Sequence, residues 1–183
     1  MVNKIIALLL LVILFPLLLL TGLIIYIVDG DPILYWSKRI GLNNRIFFMP
    51  KFRTMKINSP DIATHKLKNP EKYLIRFGKF IRKTSIDELP QLLSIIKGNL
   101  NFVGPRPALY NQNRLIKLRS EAKVDKIVPG VTGWAQINGR DHLSINEKIS
   151  LDIYYLNNKS MILDMKILLI TIFQIVYPKG VKH

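Results

Sequence analysis

The chain has 183 residues, 49% of them apolar, with 27 Lys and Arg against 12 Asp and Glu and a formal net charge of +15. That balance excludes an acidic solvating tail and wholesale disorder, and it points to anionic partners: nucleic acid, a phosphorylated substrate or an anionic membrane surface. Cysteine is absent, which excludes disulfides, thiolate zinc sites and a cysteine nucleophile.

Charge and apolarity are segregated along the chain. Residues 5–28 carry no charged side chain, a run long enough to cross a bilayer core of about 30 Å. It exceeds a signal-peptide core, and no small-residue cleavage site follows it. Pro16 lies near its middle and removes one helical hydrogen bond. Two readings stay open: a bent spanning helix, or a re-entrant hairpin that returns to its own face. Lys38, Arg39, Arg45, Lys51, Arg53 and Lys56 follow the run, which places its C-terminal side in the cytoplasm under either reading.

The rest, residues 31–183, has no repeat or linker and reads as one domain behind a membrane segment at 1–30. Ile33–Trp36 and Ile46–Met49 are rich in strand formers, with a turn at Gly41–Asn44, so a small β-hairpin is expected. Asn69-Pro70-Glu71 reads as a helix start that places Leu74, Phe77 and Ile81 on one face. A short helix over Leu89–Lys97 closes at Gly98, and further helices are expected over 108–122 and 144–157. Met161–Tyr177 is an apolar helix that suits either a core or a membrane interface. The expected class is α/β, mostly helical.

Four stretches invite chemistry. Ser85-Ile86-Asp87-Glu88 fits a capping box. Pro90, however, would fall inside the first turns, which makes the helix start irregular and leaves Asp87 and Glu88 beside Arg82 and Lys83. An ionised Asp can attack phosphorus and form an acyl phosphate. In Gly104-Pro105-Arg106-Pro107 two prolines restrain the backbone around a guanidinium, which is either a solvated turn or a bidentate phosphate ligand. The glycine-rich 129–140 stretch lacks the phosphate-loop spacing; it is an ordinary loop, or it brings backbone N–H groups, Trp134 and Arg140 to a nucleotide. Lys51-Phe52-Arg53-Thr54-Met55 follows a strand and can deliver two more cations. His65, His142 and His183 lie far apart without a zinc motif, so a metal here would be Mg²⁺ on carboxylate and phosphate oxygens.

Taken together, Lys51–Met55, Ser85–Leu92, Val103–Pro107, Pro129–Trp134, Asn138–Arg140, Leu151–Tyr155 and Leu163–Lys166 resemble the bacterial sugar transferase family, in its small monotopic phosphoglycosyl transferase form. The resemblance implies transfer of a sugar-1-phosphate, expected to be an N-acetylated amino sugar, from a UDP-sugar to undecaprenyl phosphate with release of UMP. It implies Asp87 as nucleophile and Mg²⁺ ligand, and Glu88 as helper in the second step. Lys51, Arg82, Arg106 and Arg140 match the family's basic site positions, Asp164 an acidic one, and Asp152 a residue that orders the last helices. It further implies a re-entrant helix broken at the proline, interfacial amphipathic helices, and a catalytic face on the cytoplasmic side of the bacterial inner membrane. The pathway would be an early step of O-antigen, capsule, lipopolysaccharide or glycoprotein glycan assembly, and a homodimer stays open. The sequence departs from the family pattern at Phe15, where a serine is common, and at Ser37, where a glutamine is common. The rival readings are a non-catalytic membrane scaffold for glycan assembly, a glycosyltransferase that releases UDP, and a membrane-tethered nucleic-acid binder. No nucleic-acid-binding motif supports the last.

Overall fold

The computed structural model describes residues 1–60, 67, 69–139 and 142–176. Among the described residues fifteen segments of secondary structure follow one another, mostly helical, with a two-stranded antiparallel hairpin and a two-stranded parallel pair.

The apolar run forms α1 (Val2–Asp29). At about 1.5 Å per residue its 28 residues reach about 42 Å, and it is the one helix among the described residues long and apolar enough to cross a membrane. Pro16 lies inside this helix, so the expected interruption there is a missing donor within one element rather than a gap between two. A proline disturbs a single turn, and the apolar flanks on both sides continue the helix. One face of α1 is bare: Leu9, Val12, Ile13, Phe15 and Leu19 are all exposed. The other packs on the body along its length, with Leu10, Leu11, Leu14 and Leu18 in contact between the two ends. Ala7 is fully buried against Phe47, Met49, Leu92 and Ile95, and Ile25 packs with Phe52, Ile75 and Ile81. Asn3 Nδ2 donates to Asn101 Oδ1 at 3.0 Å. Both ends of the helix therefore rest on the same body.

β1 (Leu34–Ile40) and β2 (Ile46–Phe52) form the expected hairpin, longer than its strand formers alone suggest, with Leu34 opposite Phe52 and Ile40 opposite Ile46. A single 3₁₀ turn, Leu42–Asn44, connects them.

The helix expected from Asn69 is replaced by two pieces. A 3₁₀ turn, Pro70–Tyr73, stops at Leu74, which is extended. Met55 and Leu74 form a β-bridge, and the Ile75 N–H donates to the Thr54 carbonyl at 3.1 Å. Pairing with the end of β2 thus pulls the backbone out of the helix before α2 (Gly78–Lys83) begins. Gly78 is required there, because a Cβ would stand 2.4 Å from the Thr54 carbonyl oxygen.

A 3₁₀ turn, Ile86–Gln91, runs directly into α3 (Leu92–Ile96), and Gly98 follows at φ +84°. β3 (Asn101–Val103) pairs in parallel with β4 (Gly130–Thr132), a contact the sequence reading does not anticipate. α4 (Asn113–Glu121) starts later than expected, because residues 107–110 run alongside β1: Ile40 N–H donates to the Ala108 carbonyl and Arg39 bridges Leu109. α5 (Trp134–Ile137), α6 (Ile145–Asn158) and α7 (Met161–Val176) complete the body. A capping box joins Ser144 and Glu147 at the start of α6.

α7 is buried on one face and bare on the other. Ile167 is fully buried beside Val103 and Tyr155, while Met161, Ile162, Met165, Leu169, Ile172 and Phe173 are exposed.

The glycines at 104 and 130 let β3 and β4 approach. A Cβ on Gly130 would lie 2.1 Å from the Gly104 nitrogen, a distance no side chain accepts. Gly130→Ala is therefore expected to separate the two strands and to leave little folded protein; wild-type levels and melting temperature for this variant would contradict the packing described.

Candidate active site

The site is assembled on the last residues of β2 and on the 3₁₀ turn that carries the two acids. The start of that turn is irregular, as Pro90 requires. Ser85 lies in the left-handed region at φ 57° and makes no side-chain cap bond. The expected capping box does not form, because Glu88 is drawn elsewhere. Glu88 Oε1 accepts from Lys51 Nζ at 2.7 Å and from Arg106 Nη2 at 2.8 Å. Burial opposes its ionisation, but Arg106 and Lys51 hold its carboxyl well below the usual carboxylate range through charge and hydrogen bonds. Lys51 is lowered from the usual ammonium value by burial, against the pull of Glu88.

Asp87 is the contrasting partner. It is 9% exposed, and burial raises its carboxyl to about 6; Lys51 pulls that value down, the adjacent Glu88 pushes it up, and Arg82 and Arg106 pull it down again. Two neighbouring carboxyls thus take opposite characters, one permanently anionic and one poised near neutrality, a separation typical of reactive sites. Arg82 stands on the last turn of α2, where its Nε donates to Thr54 Oγ1 at 2.8 Å. Lys51, Arg82, Arg106, Asp87 and Glu88 are therefore brought together, from β2, α2, the 3₁₀ turn and the proline-flanked loop.

The Arg106 loop is gripped from behind. Arg119 Nη1 donates to the Arg106 carbonyl at 2.7 Å, and Arg39 Nη1 donates to the Pro107 carbonyl at 3.1 Å. Arg119 is itself fixed: its Nε and Nη2 both donate to Asp152 Oδ2, at 2.9 and 2.7 Å. This buried pair ties α4 to α6. Burial raises the Asp152 carboxyl, and Arg119 opposes that rise. Ser37 is buried and accepts from Arg39 Nε at 2.9 Å.

Asp164 Oδ1 accepts from the Tyr155 hydroxyl at 2.8 Å. The Tyr155 hydroxyl is also 3.5 Å from the Val103 carbonyl, so Asp164 supports the strand that leads to Arg106. Arg140 lies outside the described residues, as do His65 and His183. In the glycine-rich stretch the Gly130 N–H donates to the Pro105 carbonyl and the Thr132 carbonyl accepts from the Gly104 N–H, so these two groups are used inside the fold. Trp134 stacks on Tyr154 with ring centroids 5.1 Å apart, and Lys166 Nζ lies 5.7 Å from the Trp134 ring centroid.

Sequence reasoning leaves out Arg119, Arg39 as a clamp, and the role of Arg53 described below. Arg119 sits in a helix with several other cations, where nothing but its Asp152 partner distinguishes it. Among the described residues no group of three or more acids or histidines could hold a metal alone.

Comparison with known proteins accords with this geometry. The family model described as Bacterial sugar transferase matches residues 1–178. A chain named as an uncharacterized sugar transferase EpsL, from Bacillus subtilis (strain 168), is 42% identical over 154 residues, covering 84% of this chain and 75% of that one. The exopolysaccharide production protein ExoY of Rhizobium meliloti (strain 1021) is 36% identical over 188 residues, covering 90% and 79%. The undecaprenyl-phosphate glucose phosphotransferase of Komagataeibacter xylinus is 37% identical over 185 residues, but this chain spans only 34% of its length.

Proposed function

Since the chain belongs to the bacterial sugar transferase family, and is a transferase, we propose that it moves a sugar-1-phosphate from a UDP-sugar to undecaprenyl phosphate at a membrane surface. The observation that carries this reading is the buried Asp87, poised at about 6 among Lys51, Arg82 and Arg106. The names of the relatives from Komagataeibacter xylinus and Escherichia coli (strain K12), both undecaprenyl-phosphate glucose transferases, support the reaction class.

In the proposed first step an Asp87 carboxylate oxygen attacks the β-phosphorus of the donor. The bond from that phosphorus to the oxygen of the α-phosphate breaks, UMP leaves with the electron pair, and the phosphosugar stays on Asp87. In the second step an oxygen of the lipid phosphate attacks the same phosphorus and Asp87 departs as a carboxylate. The product is a lipid diphosphate bearing the sugar. Arg106 and Arg82 neutralise the phosphate charge that builds up in both steps. Glu88, held low by two cations, is a weak base; its task is to hold Lys51 and Arg106 in place. Asp87 is the residue that would hold Mg²⁺, together with the diphosphate oxygens, since this ion is commonly bound by one or two carboxylates plus substrate. The ion would supply charge neutralisation at the diphosphate.

The re-entrant topology belongs to this reading. What supports it is that α1 stays against one body from Asn3 and Ala7 to Ile25. The exposed faces of α1 and α7 then meet lipid, and the basic body faces the anionic headgroups of the cytoplasmic leaflet.

The test is to assay UMP and UDP separately, in nanodiscs, with Mg²⁺, undecaprenyl phosphate and a panel of UDP-sugars. UDP-glucose and N-acetylated amino sugars belong in the panel. UMP formation with one donor is expected; UDP formation would overturn the reading. Folded protein that forms neither nucleotide with any donor would favour the scaffold reading. Because ionised Asp87 is the attacking form, kcat/KM for the donor is expected to rise tenfold per pH unit below about 6 and to level off above it. A flat profile between pH 5 and 8 would contradict the assigned nucleophile.

A further inference from the structure

Arg53 is almost completely buried, 6% exposed, yet its hydrogen bonds go to main-chain carbonyls instead of a carboxylate. Its Nε donates to the Pro32 carbonyl at 2.6 Å. Its Nη2 donates to the carbonyls of Asp29 at 2.9 Å and Gly30 at 2.6 Å. Its own N–H donates to the Ile33 carbonyl at 2.9 Å. These acceptors are the last residue of α1 and the link that follows it. A helix C-terminus presents unsatisfied carbonyls and the negative end of its dipole, and a guanidinium satisfies both. Asp29 also carries a buried carboxylate oxygen, Oδ2, without a hydrogen-bond partner among the described residues.

The chain position of Arg53 gives this clamp a consequence. Two residues before it, Lys51 holds Glu88; one residue after it, Thr54 holds Arg82. One strand end therefore ties α1 and the reactive carboxyls together, with about 7 Å of chain between Lys51 and Arg53.

We propose that Arg53 is a positioning residue that fixes the end of the membrane helix to the catalytic strand, and so sets the height of Asp87 against the phosphate of the lipid acceptor. The proposal rests on the two-step reading above. It assigns Arg53 to the second step alone, because a soluble nucleotide-sugar reaches Asp87 whatever its height, whereas a lipid phosphate is held at the membrane surface. A lysine is a point charge on a flexible stem and cannot span Pro32 and the α1 end as the planar fork does.

The experiment compares wild type, Arg53→Lys and Arg53→Gln in nanodiscs. UMP released in a single turnover without acceptor reads the first step, and steady-state KM for undecaprenyl phosphate reads the second. Bromolipid quenching of tryptophan fluorescence reports the height of the body without any turnover. Arg53→Gln is expected to keep the single-turnover rate within about threefold, raise the acceptor KM at least tenfold and change the quenching; Arg53→Lys is expected to fall between it and wild type. If the glutamine variant does not fold, the same split is read from the lysine variant. Equal losses in both steps, or an unchanged acceptor KM with unchanged quenching, would overturn the proposal. Wild-type protein that releases no UMP would instead overturn the two-step reading on which it rests.

Discussion

Asp87→Asn is expected to lose UMP release by more than about a thousandfold while melting at a higher temperature than wild type at pH 7. The loss follows from the removed nucleophile, since a carboxamide cannot form the acyl phosphate. The gain in stability follows from burial. The folded Asp87 carboxyl sits at about 6, above its usual 3.8, so the folded protein binds this proton more tightly than the unfolded chain does. The stability tied to that proton is complete below pH 3.8 and disappears as pH rises through about 6. At pH 7 the ionised group costs at most about 3 kcal/mol, and the neutral, isosteric Asn removes that cost. The attraction of Lys51, Arg82 and Arg106 for the carboxylate is already contained in the raised value and only partly offsets burial. The stability difference between the two proteins should therefore shrink to about 0.6 kcal/mol at pH 4. A variant less stable than wild type at pH 7, with the same fold, would contradict the electrostatic account of the site.

Arg119→Met is expected to cost stability by breaking a buried ion pair. It leaves the Asp152 carboxylate buried without its two hydrogen bonds, and breaking such a pair costs about 3–5 kcal/mol. The double variant Arg119→Met with Asp152→Leu removes both charges and should recover most of that loss. It should not recover activity, because the Arg106 carbonyl has lost its Arg119 donor. Denaturation of the single and double variants, with donor kcat/KM for each, separates these effects. Equal stability of the two, or full activity in the double variant, would refute the clamp.

The parts legible in the sequence are those with strong local signals. The hairpin follows from Ile46–Met49 and the turn residues beside them, and α6 and α7 from their apolar spacing. The irregular start at Ser85 follows from the position of Pro90. What the sequence hides is decided by distant partners. β3 and β4 have three residues each, too few to show a period, and exist because Gly104 and Gly130 let two backbones meet. The Asn69 helix fails because Met55 pairs with Leu74 and pulls the chain into an extended form. The grouping of Lys51, Arg82, Arg106, Asp87 and Glu88 was expected from resemblance, and the structure brings them together. The clamps formed by Arg39, Arg53 and Arg119 carry no local mark, since a buried guanidinium on a carbonyl and a solvated one look alike in sequence.

The central claim is that a phosphosugar rests on Asp87 between the two steps. The most direct measurement is mass spectrometry of protein quenched within one turnover of donor, without lipid acceptor, followed by peptide mapping. The account predicts a mass gain of one phosphosugar on the peptide containing Asp87, lost on addition of undecaprenyl phosphate and absent from Asp87→Asn. Turnover to UMP and lipid product with no adduct at any quench time, or an adduct on another residue, would contradict it.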